Sequence, residues 1–442
     1  MVNEQKKNTG VLTTLFFTLF VTTLGFGMII PIKPQLIMDI TGDNLSDTAV
    51  WSGYLLLGYA LAQFLASPII SSLSDRYGRR SILLAVLMIN AIDFFVMAIA
   101  QSIELLFVTR VLSGVLGATL ATINACVVDI SPFNKRAINF SIIFSALGLG
   151  LMVGPSLGGF LGELWGTRAP IFVAGILLLI NFFYILFFFK ETLKEFSTKK
   201  IALSKFMPFA LLRNLHRSSF KTSYLVVTFL IQLAFHSFAA TWAYFTMAKF
   251  NWGFLEIGWS LFAVGATSLI FQAGLNRIII PKFGERKSLL IGLAFTIPAF
   301  LAYSFANQGW MIYLIIVFGG IGGVIIPSLQ SIMSGMMPKQ RQGELMGAIS
   351  SISGLSLIIG PFLMTQTFSY FTQESQGIYF PGAPFFLAAL FVTGAILIVV
   401  IKTSKKHVKN DVISLHQQPE DYTKKEVISL HQQPKRYTNE KS

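Results

Sequence analysis

The sequence has little charge and almost no cysteine. Of its 442 residues, 12% are charged and 54% are hydrophobic, whereas a typical soluble domain has roughly 25% charged residues. The single cysteine, Cys126, lies in an apolar run, which excludes a disulfide framework and a cysteine metal cluster. The sequence also lacks a phosphate-binding loop of the Gly-x-x-x-x-Gly-Lys-Ser/Thr type, so it gives no support for direct ATP coupling. We therefore expect neither an enzyme nor a protein with a bound metal or cofactor.

Long apolar runs dominate the chain instead. Each approaches or exceeds the roughly 20 residues that cross a bilayer as a helix. We predict an all-α polytopic membrane protein with twelve transmembrane helices, near residues 11–32, 50–70, 81–100, 104–126, 138–161, 169–189, 223–247, 256–280, 288–306, 309–331, 344–370 and 380–401. The first run continues into Pro31-Ile32-Lys33-Pro34 without a small-residue cleavage site, so it reads as a first span and not as a removed signal peptide.

The net charge of +14 is distributed unevenly along the chain. Before the tail, the segments on the side of the N-terminus contain 21 Lys and Arg residues, whereas the loops on the other side contain three, Lys33, Arg168 and Lys249. The positive-inside rule then places both termini in the cytoplasm and the protein in the cell membrane, either inner or plasma. Because topology accounts for the basic excess, nucleic-acid binding is not expected.

A long basic interruption divides the predicted helices into two sets of six. We expect an N-terminal six-helix half (1–189), a basic cytoplasmic linker (190–222), a C-terminal six-helix half (223–402) and a cytoplasmic tail (403–442). The tail repeats its segment 411–419 at 426–434, with a period of 15 residues. We interpret this as a disordered tail that was duplicated locally. The alternatives are a partner-binding element and, more remotely, a metal site at His416 and His431.

A compact polar turn follows the second apolar run, and its members are Asp75, Arg76, Gly78, Arg79 and Arg80. An Asp or Arg at the centre of a bilayer costs about 2.5–3.5 kcal/mol, so the turn must lie in a short cytoplasmic loop, where Gly78 permits the chain to reverse. We predict a cytoplasmic gate in which Asp75 and Arg76 latch neighbouring helices. Asp129, at the end of the fourth span, is the expected partner of Arg76 or Arg79. A degenerate copy, 281–287, follows the eighth span and matches at Gly284.

Four segments resemble motifs of one transporter family. The turn from Asp75 to Arg80 is similar to the signature loop between the second and third spans of the major facilitator superfamily, with Ser71 in place of the usual leading glycine. The other three resemble motifs of its twelve-span drug:proton antiporter branch, at Leu24-Gly25 with 31–34, at 110–118 and at 150–159. Over about residues 11–400 the chain is most similar to tetracycline efflux proteins, with further matches at 93–98, 319–322, 327–330 and 359–361. The resemblance implies a major facilitator fold in the lipid bilayer, with protons and a small molecule as its ligands.

The fifth predicted span is rich in glycine, and its notable residues are Gly150, Gly154, Pro155, Gly158 and Gly159. Three of the glycines lie four residues apart, so they share one helix face and allow a neighbouring backbone to approach closely. Pro155 removes a backbone donor. The resemblance identifies this segment as an antiporter hinge, which we picture as a smooth seam between the two halves. Plain close packing of small residues is the alternative.

Ionisable residues inside a span are candidates for function. Asp93, near the middle of the third span, matches an acid of the tetracycline efflux proteins, and we predict that it carries the coupled proton. The alternative is a structural acid held by a basic partner. Arg110, about two turns into the fourth span, either balances Asp93, binds substrate or braces a kink. His236 in the seventh span belongs to a residue type that titrates near neutral pH, so it is either a second coupling residue or structural.

Neutral amides inside the spans are the candidate lining of a substrate cavity, and they are Asn90, Asn124, Gln232, Gln272 and Gln330. The three glutamines match glutamines of the tetracycline exporters. The alternative for them is hydrogen bonding between helices, worth about 0.6 kcal/mol per bond. Three ionisable residues expected in those exporters are missing, since Thr22 and Ala294 stand in place of two acids and Ser268 in place of a histidine.

These features favour a secondary active exporter of small amphiphilic organic molecules or drugs, which works as a proton-coupled monomer by alternating access. The missing groups predict poor or absent export of tetracycline. The first alternative is a metabolite or siderophore transporter of the same fold, working in either direction. The second is a transport-dead sensor or scaffold that acts through its tail.

Overall fold

The computed structural model of the protein describes residues 2–116, 119–132, 135–193, 196, 222–338 and 341–416. The chain divides into one compact unit of residues 1–396 and a second unit of residues 397–442. Most of the predicted linker, 197–221, lies outside the described residues, and so does the second copy of the tail repeat with His431.

Helices make up nearly all of the described chain. Those before the linker are α1 (Val2–Ile29), α2 (Lys33–Thr41), α3 (Leu45–Tyr77), α4 (Arg79–Ile99), α5 (Ile103–Leu116), α6 (Thr119–Ile130), α7 (Arg136–Trp165) and α8 (Ala169–Phe188). Those after it are α9 (Thr222–Phe250), α10 (Phe254–Ile270), α11 (Asn276–Phe305), α12 (Gly309–Gly319), α13 (Ile325–Gly335), α14 (Gln342–Tyr370) and α15 (Ala383–His416). A π-helical turn, Phe271–Leu275, follows α10, and 3-10 turns occur at Gly320–Val324 and Glu374–Gln376.

Eleven helical stretches of the described chain are long and apolar enough to cross a membrane. Two of them combine neighbouring helices, α5 with α6 over Ile103–Ile130 and α12 with α13 over Gly309–Gly335. The shorter apolar helix α10 provides the twelfth span. The prediction of an all-α membrane protein with twelve helices in two sets of six is confirmed. We call α1–α8 the first half, and α9–α15 up to residue 396 the second half.

Local sequence explains where the predicted boundaries shift. α3 begins at Leu45, earlier than the predicted residue 50, because the side chain of Asn44 accepts a hydrogen bond from the backbone N–H of Asp47 at 2.9 Å. At its other end, Gly78 adopts a φ of 94°, which lets α4 begin at once. Gly284 adopts a φ of 75° inside α11, so the degenerate copy of the turn reverses the chain with the same kind of residue.

Helices pack extensively both within each half and between the halves. In the first half α1 packs against α7 and α8, α3 against α5, and α4 against α8. In the second half α9 packs against α14, and α11 against α13. The two halves meet along α7 with α10 and along α3 with α14. We call the end of the bundle that carries the turn from Asp75 to Arg80 the turn face, and the opposite end, which carries α2, the seal face.

Candidate functional site

A buried ion pair lies inside the first half. Arg110 Nη2 of α5 is 2.7 Å from Asp93 Oδ2 of α4, and the Ser113 hydroxyl donates to the same carboxylate oxygen. The Asp93 side chain is 2% exposed and that of Arg110 is 15% exposed. Charges buried in a membrane protein need a partner and mark functional positions. Of the three roles left open for Arg110, this geometry supports the balancing of Asp93.

Polar groups without partners surround this pair. In the described part of the chain, Asp93 Oδ1 and both polar side-chain atoms of Asn90, one helical turn earlier, are buried and make no hydrogen bond. The same holds for Asn124 Oδ1 on α6. Unsatisfied buried polar atoms are uncommon in proteins. The predicted cavity residues Asn90 and Asn124 therefore have free hydrogen-bonding capacity inside the first half, and Asn90 offers it beside Asp93.

Arg79 is the centre of the polar cluster on the turn face. Its guanidinium contacts Asp75 at 2.6 Å and Asp129 at 3.0 Å, and it donates to the Ser74 hydroxyl at 3.0 Å. Arg76 is exposed and lies over the ring of the neighbouring Tyr77, 5.6 Å from its centroid. Of the two arginines proposed for Asp129, the structure brings only Arg79 to it. The cluster joins α3, α4 and α6, which all belong to the first half.

Sequence reasoning missed Glu191 in this cluster. Its carboxylate accepts hydrogen bonds from the backbone N–H groups of Arg79 and Arg80 at 3.0 Å each, so it caps the N-terminus of α4. Arg80 also donates to the carbonyl of Leu186 at 2.6 Å. A side chain at Gly78 would collide with Glu191. The available signal was that α4 begins at a glycine, which has no side chain to cap it, while an acid follows directly after the sixth span.

The candidate residues of α9 form a neutral network with α14. Gln232 donates to the Ser353 hydroxyl at 2.9 Å, and Ser356 donates to Gln232 Oε1 at 3.0 Å. His236 Nε2 lies 3.3 Å from Ser356 Oγ. Because the Ser356 proton is directed at Gln232, the histidine is the donor in this contact. Gly360 leaves the space for its imidazole, since a Cβ there would overlap the ring. Both residues join helices within the second half, as the structural alternatives for them proposed.

The other two candidate glutamines do not join this network. Gln272 lies in the π-helical turn after α10, and Gln330 lies in α13. Both are exposed. The structure therefore places the five predicted cavity residues in separate groups, with Asn90 beside Asp93, Asn124 on α6, Gln232 in the α9–α14 network and two glutamines free of it.

The glycine face of α7 contacts the first half rather than the second. Gly150 lies against Phe20, Gly154 against Leu24 and Gly158 against Met28, all through backbone atoms of α1. The contact with the second half is made one residue away, where Gly159 meets the carbonyl of Phe254 and Pro155 meets Gly258 on α10. Of the five hinge residues, Pro155 and Gly159 thus contribute to the seam that we expected between the halves, and other residues of α7 join them, such as Met152 against Gly265. The reason is helical: residues four apart face one neighbour, and that neighbour is α1.

Three polar contacts between described residues of the two halves lie at the seal face. They are Ser46 Oγ to Thr372 Oγ1 at 2.8 Å, Gln373 Nε2 to Asp47 Oδ1 at 3.3 Å, and the Tyr244 hydroxyl to the carbonyl of Thr48 at 3.2 Å. Each joins a residue near the start of α3 to α9 or to the segment that follows α14. These contacts close the space between the halves on the side opposite the turn.

Comparison with known proteins gives the chain a family. The Major Facilitator Superfamily model matches residues 15–279 and 224–431. The class G tetracycline resistance protein of Vibrio anguillarum is 35% identical over 369 residues, which cover 83% of this chain and 93% of that protein. The quinolone resistance protein NorA of Staphylococcus aureus is 25% identical over 401 residues, 89% of this chain and 97% of that protein.

A solved structure agrees with these sequence matches in its fold. The crystal structure of the human organic anion transporter MFSD10 (TETRAN) superposes with a TM-score of 0.65 and 22% identity, covering 89% of this chain and 99% of that one. The matched ranges, the relatives and the twelve-helix architecture agree. The chain belongs to the Major Facilitator Superfamily, as a multi-pass membrane transporter related to tetracycline and quinolone resistance proteins.

Proposed function

We propose that the protein is a proton-coupled exporter of small amphiphilic organic molecules, with Asp93 as the group that takes up and releases the proton. The observation that carries this proposal is the buried cluster of Asp93, Arg110 and Ser113. A carboxylate in this position binds a proton when its basic partner moves away, since desolvation disfavours the charged form. Arginine keeps its charge throughout and can therefore hold the deprotonated acid.

Alternating access would use the contacts between the halves. We assign the turn face to the cytoplasm, on the strength of its basic loops. The seal face then closes the cavity from outside, and substrate enters between the halves from the cytoplasm. When Ser46 and Thr372 separate, the seal opens and substrate leaves. Arg79 and its carboxylate partners hold α3, α4 and α6 together on the turn face, so that the first half moves as one body.

Tetracycline itself is a poor candidate for the substrate. Thr22 stands where the related exporters carry an acid, and its hydroxyl donates to the carbonyl of Thr18 on its own helix at 2.7 Å. Ser268 and Ala294 likewise supply neither a histidine nor an acid. These differences favour another organic molecule, and they keep a metabolite or siderophore transporter as the second candidate.

Uptake into everted membrane vesicles tests the proposal. Vesicles with and without the protein receive an inside-acid pH gradient and are offered ethidium, norfloxacin, a hydroxamate siderophore or tetracycline. We expect accumulation of at least one amphiphilic drug, its loss when nigericin collapses the pH gradient, and tetracycline uptake close to that of control vesicles. Drug accumulation that survives nigericin would contradict proton coupling, and strong tetracycline uptake would contradict the argument from the missing groups. Accumulation of the siderophore alone would favour the second candidate.

A further inference from the structure

Three basic residues of the described chain, Lys33, Arg168 and Lys249, lie at the seal face at or beside helix ends, and two of them have an evident structural role. Arg168 donates to the carbonyls of Ala98 and Ala100 at 3.1 and 2.9 Å, where α4 ends. Lys249 donates to the carbonyl of Ser304 at 3.3 Å, near the end of α11. The last carbonyls of a helix lack partners within it and carry partial negative charge. Both cations therefore stabilise a helix C-terminus.

Lys33 has no such role. It is the first residue of α2, so its charge lies at the positive end of the helix dipole, and the first turn of α2 contains no acid. In the described part of the chain it forms no ion pair. Its ammonium group lies 5.7 Å from the ring centroid of Tyr244, on the other half of the protein. Lys33 thus sits at the junction of the halves, next to the contacts that close the seal face.

The surroundings of Lys33 are enclosed but not sealed. Part of its surface is accessible, while burial and the nearby charge of Arg110 lower the pKa of Lys33 to about 8. The ammonium group of Lys33 is thus partly enclosed, near Tyr244 of the second half and within reach of the charge of Arg110 in the first half.

The charges at this junction do not balance. The charge of Arg110 is matched by Asp93 at 2.7 Å, whereas that of Lys33 is matched by no carboxylate of the described residues. An enclosed charge without a partner is costly, and a group of opposite charge on a ligand would remove that cost. An anionic group on a ligand would supply the missing counter-charge.

We propose that Lys33 binds the acidic group of the transported molecule at the closed end of the cavity, so that the substrates are amphiphilic organic anions bearing a carboxylate or a sulfonate. This inference rests on the proposed function and narrows it to a substrate class. Tyr244 is the neighbouring surface for an aromatic body.

Two dyes with the same xanthene core and opposite charge provide the test. Fluorescein is an anion and rhodamine 6G a cation, and the binding of each to the purified protein is measured by fluorescence polarisation and its transport in proteoliposomes. We expect the protein to prefer fluorescein by about tenfold or more. In Lys33→Gln that preference should vanish, through a roughly tenfold loss of fluorescein affinity with unchanged rhodamine 6G affinity. Lys33→Arg should retain most of it.

Lys249→Gln is the matched control, because it removes the other lysine of the seal face, and it should leave both affinities unchanged. A melting temperature of Lys33→Gln no lower than that of the parent separates lost recognition from lost folding. Unchanged fluorescein affinity in Lys33→Gln, or preference of the parent for rhodamine 6G, overturns the inference. Neither result contradicts the proposed exporter function. If the protein transports neither dye, the result counts against both the inference and the proposed function. Drug uptake by everted vesicles then decides whether the proposed function survives.

Discussion

In the first half the helices enclose an arginine–aspartate pair and an arginine bound to two acids, whereas the helices of the second half enclose neutral groups. There, the network of Gln232 ends at His236, and beyond it lies a packed set of rings, namely Phe238, Trp242, Phe300, Tyr303 and Phe385. Phe238 and Trp242 have ring centroids 5.2 Å apart. The two halves share an architecture but bury different chemistry.

The turns show the same difference. In the first half Arg79 is 8% exposed in its side chain and contacts Asp75 and Asp129. In the second half the matching turn has Glu285, whose carboxylate accepts a hydrogen bond from Ser331 at 2.6 Å at an exposed position. From this contrast we propose that the first half carries the proton-linked charges, while the second half provides a neutral surface for the substrate.

The largest expected effect is that of Arg79→Gln. Removing one partner of a fully buried ion pair costs about 3–5 kcal/mol, and the cost here is smaller because Asp75 is 50% exposed and is hydrated without Arg79, whereas Asp129 is only 18% exposed. We expect a clear fall in melting temperature and loss of transport. The matched control is Arg76→Gln, which removes an exposed arginine of the same turn and should change stability by less than about 0.5 kcal/mol. Equal effects of the two variants would show that the cluster around Arg79 does not hold the first half together.

Two neighbouring glycines distinguish contacts within the first half from contacts between the halves. A Cβ at Gly158 would overlap Met28 of α1, and a Cβ at Gly159 would overlap the carbonyl of Phe254 on α10. Overpacking of this kind typically costs about 1–3 kcal/mol. We expect Gly158→Ala to lower the melting temperature, and Gly159→Ala to weaken closure of the seal face.

Disulfide cross-linking between cysteines placed at positions 46 and 372 reports that closure, since Ser46 Oγ and Thr372 Oγ1 are 2.8 Å apart. The yield should fall with Gly159→Ala and stay unchanged with Gly158→Ala. The opposite pattern would place the moving contact on α1.

Lys33→Met should stabilise the protein in the absence of substrate. The pKa of Lys33 is lowered from 10.5 to about 8. Because one pKa unit corresponds to about 1.4 kcal/mol, keeping Lys33 charged in the folded protein costs up to about 3 kcal/mol. The lost contact with Tyr244 offsets about 1 kcal/mol of this gain. The unfolded chain binds more protons between pH 8 and 10.5, so the stability of the parent rises with pH in that window.

The advantage of Lys33→Met is therefore expected at pH 7 and should disappear towards pH 10.5. The charged group that acts on Lys33 is Arg110, which remains charged throughout this range and is paired with Asp93. Thermal unfolding in detergent across this pH range measures the effect. A variant less stable than the parent at pH 7 would show that Lys33 is a structural cation like Lys249.

The smallest effect is expected at the turn of the second half. Glu285→Gln keeps the shape of the side chain and weakens a single exposed hydrogen bond to Ser331, so it should cost about 1 kcal/mol or less. Thermal unfolding of Glu285→Gln and of Arg79→Gln, measured side by side, compares how much each turn contributes to stability. A loss as large as that of Arg79→Gln would mean that the two turns are equivalent, against the comparison above.

Sequence reasoning reached the fold because hydropathy and the basic turn act locally. The apolar runs gave twelve spans, and Gly78 marked the reversal at which α4 begins. Sequence reasoning did not predict the contacts that depend on how helices pack. Glu191 follows the sixth span but caps the third, and the glycine face of α7 turned out to contact α1. Lys33 was counted as a loop charge and as part of the motif at 31–34, since nothing in its neighbours along the chain reveals that Tyr244 faces it.

The central claim is that the charged first half couples transport to protons and the neutral second half does not. It is tested most directly by uphill accumulation of a transported drug in proteoliposomes under a pH gradient, measured beside exchange without a gradient. For Asp93→Asn, which holds the side chain neutral at nearly constant volume, we expect exchange to continue and accumulation to vanish. For His236→Gln, which removes one hydrogen bond to Ser356, accumulation should remain close to that of the parent. Accumulation by Asp93→Asn, or its loss in His236→Gln alone, would contradict the account.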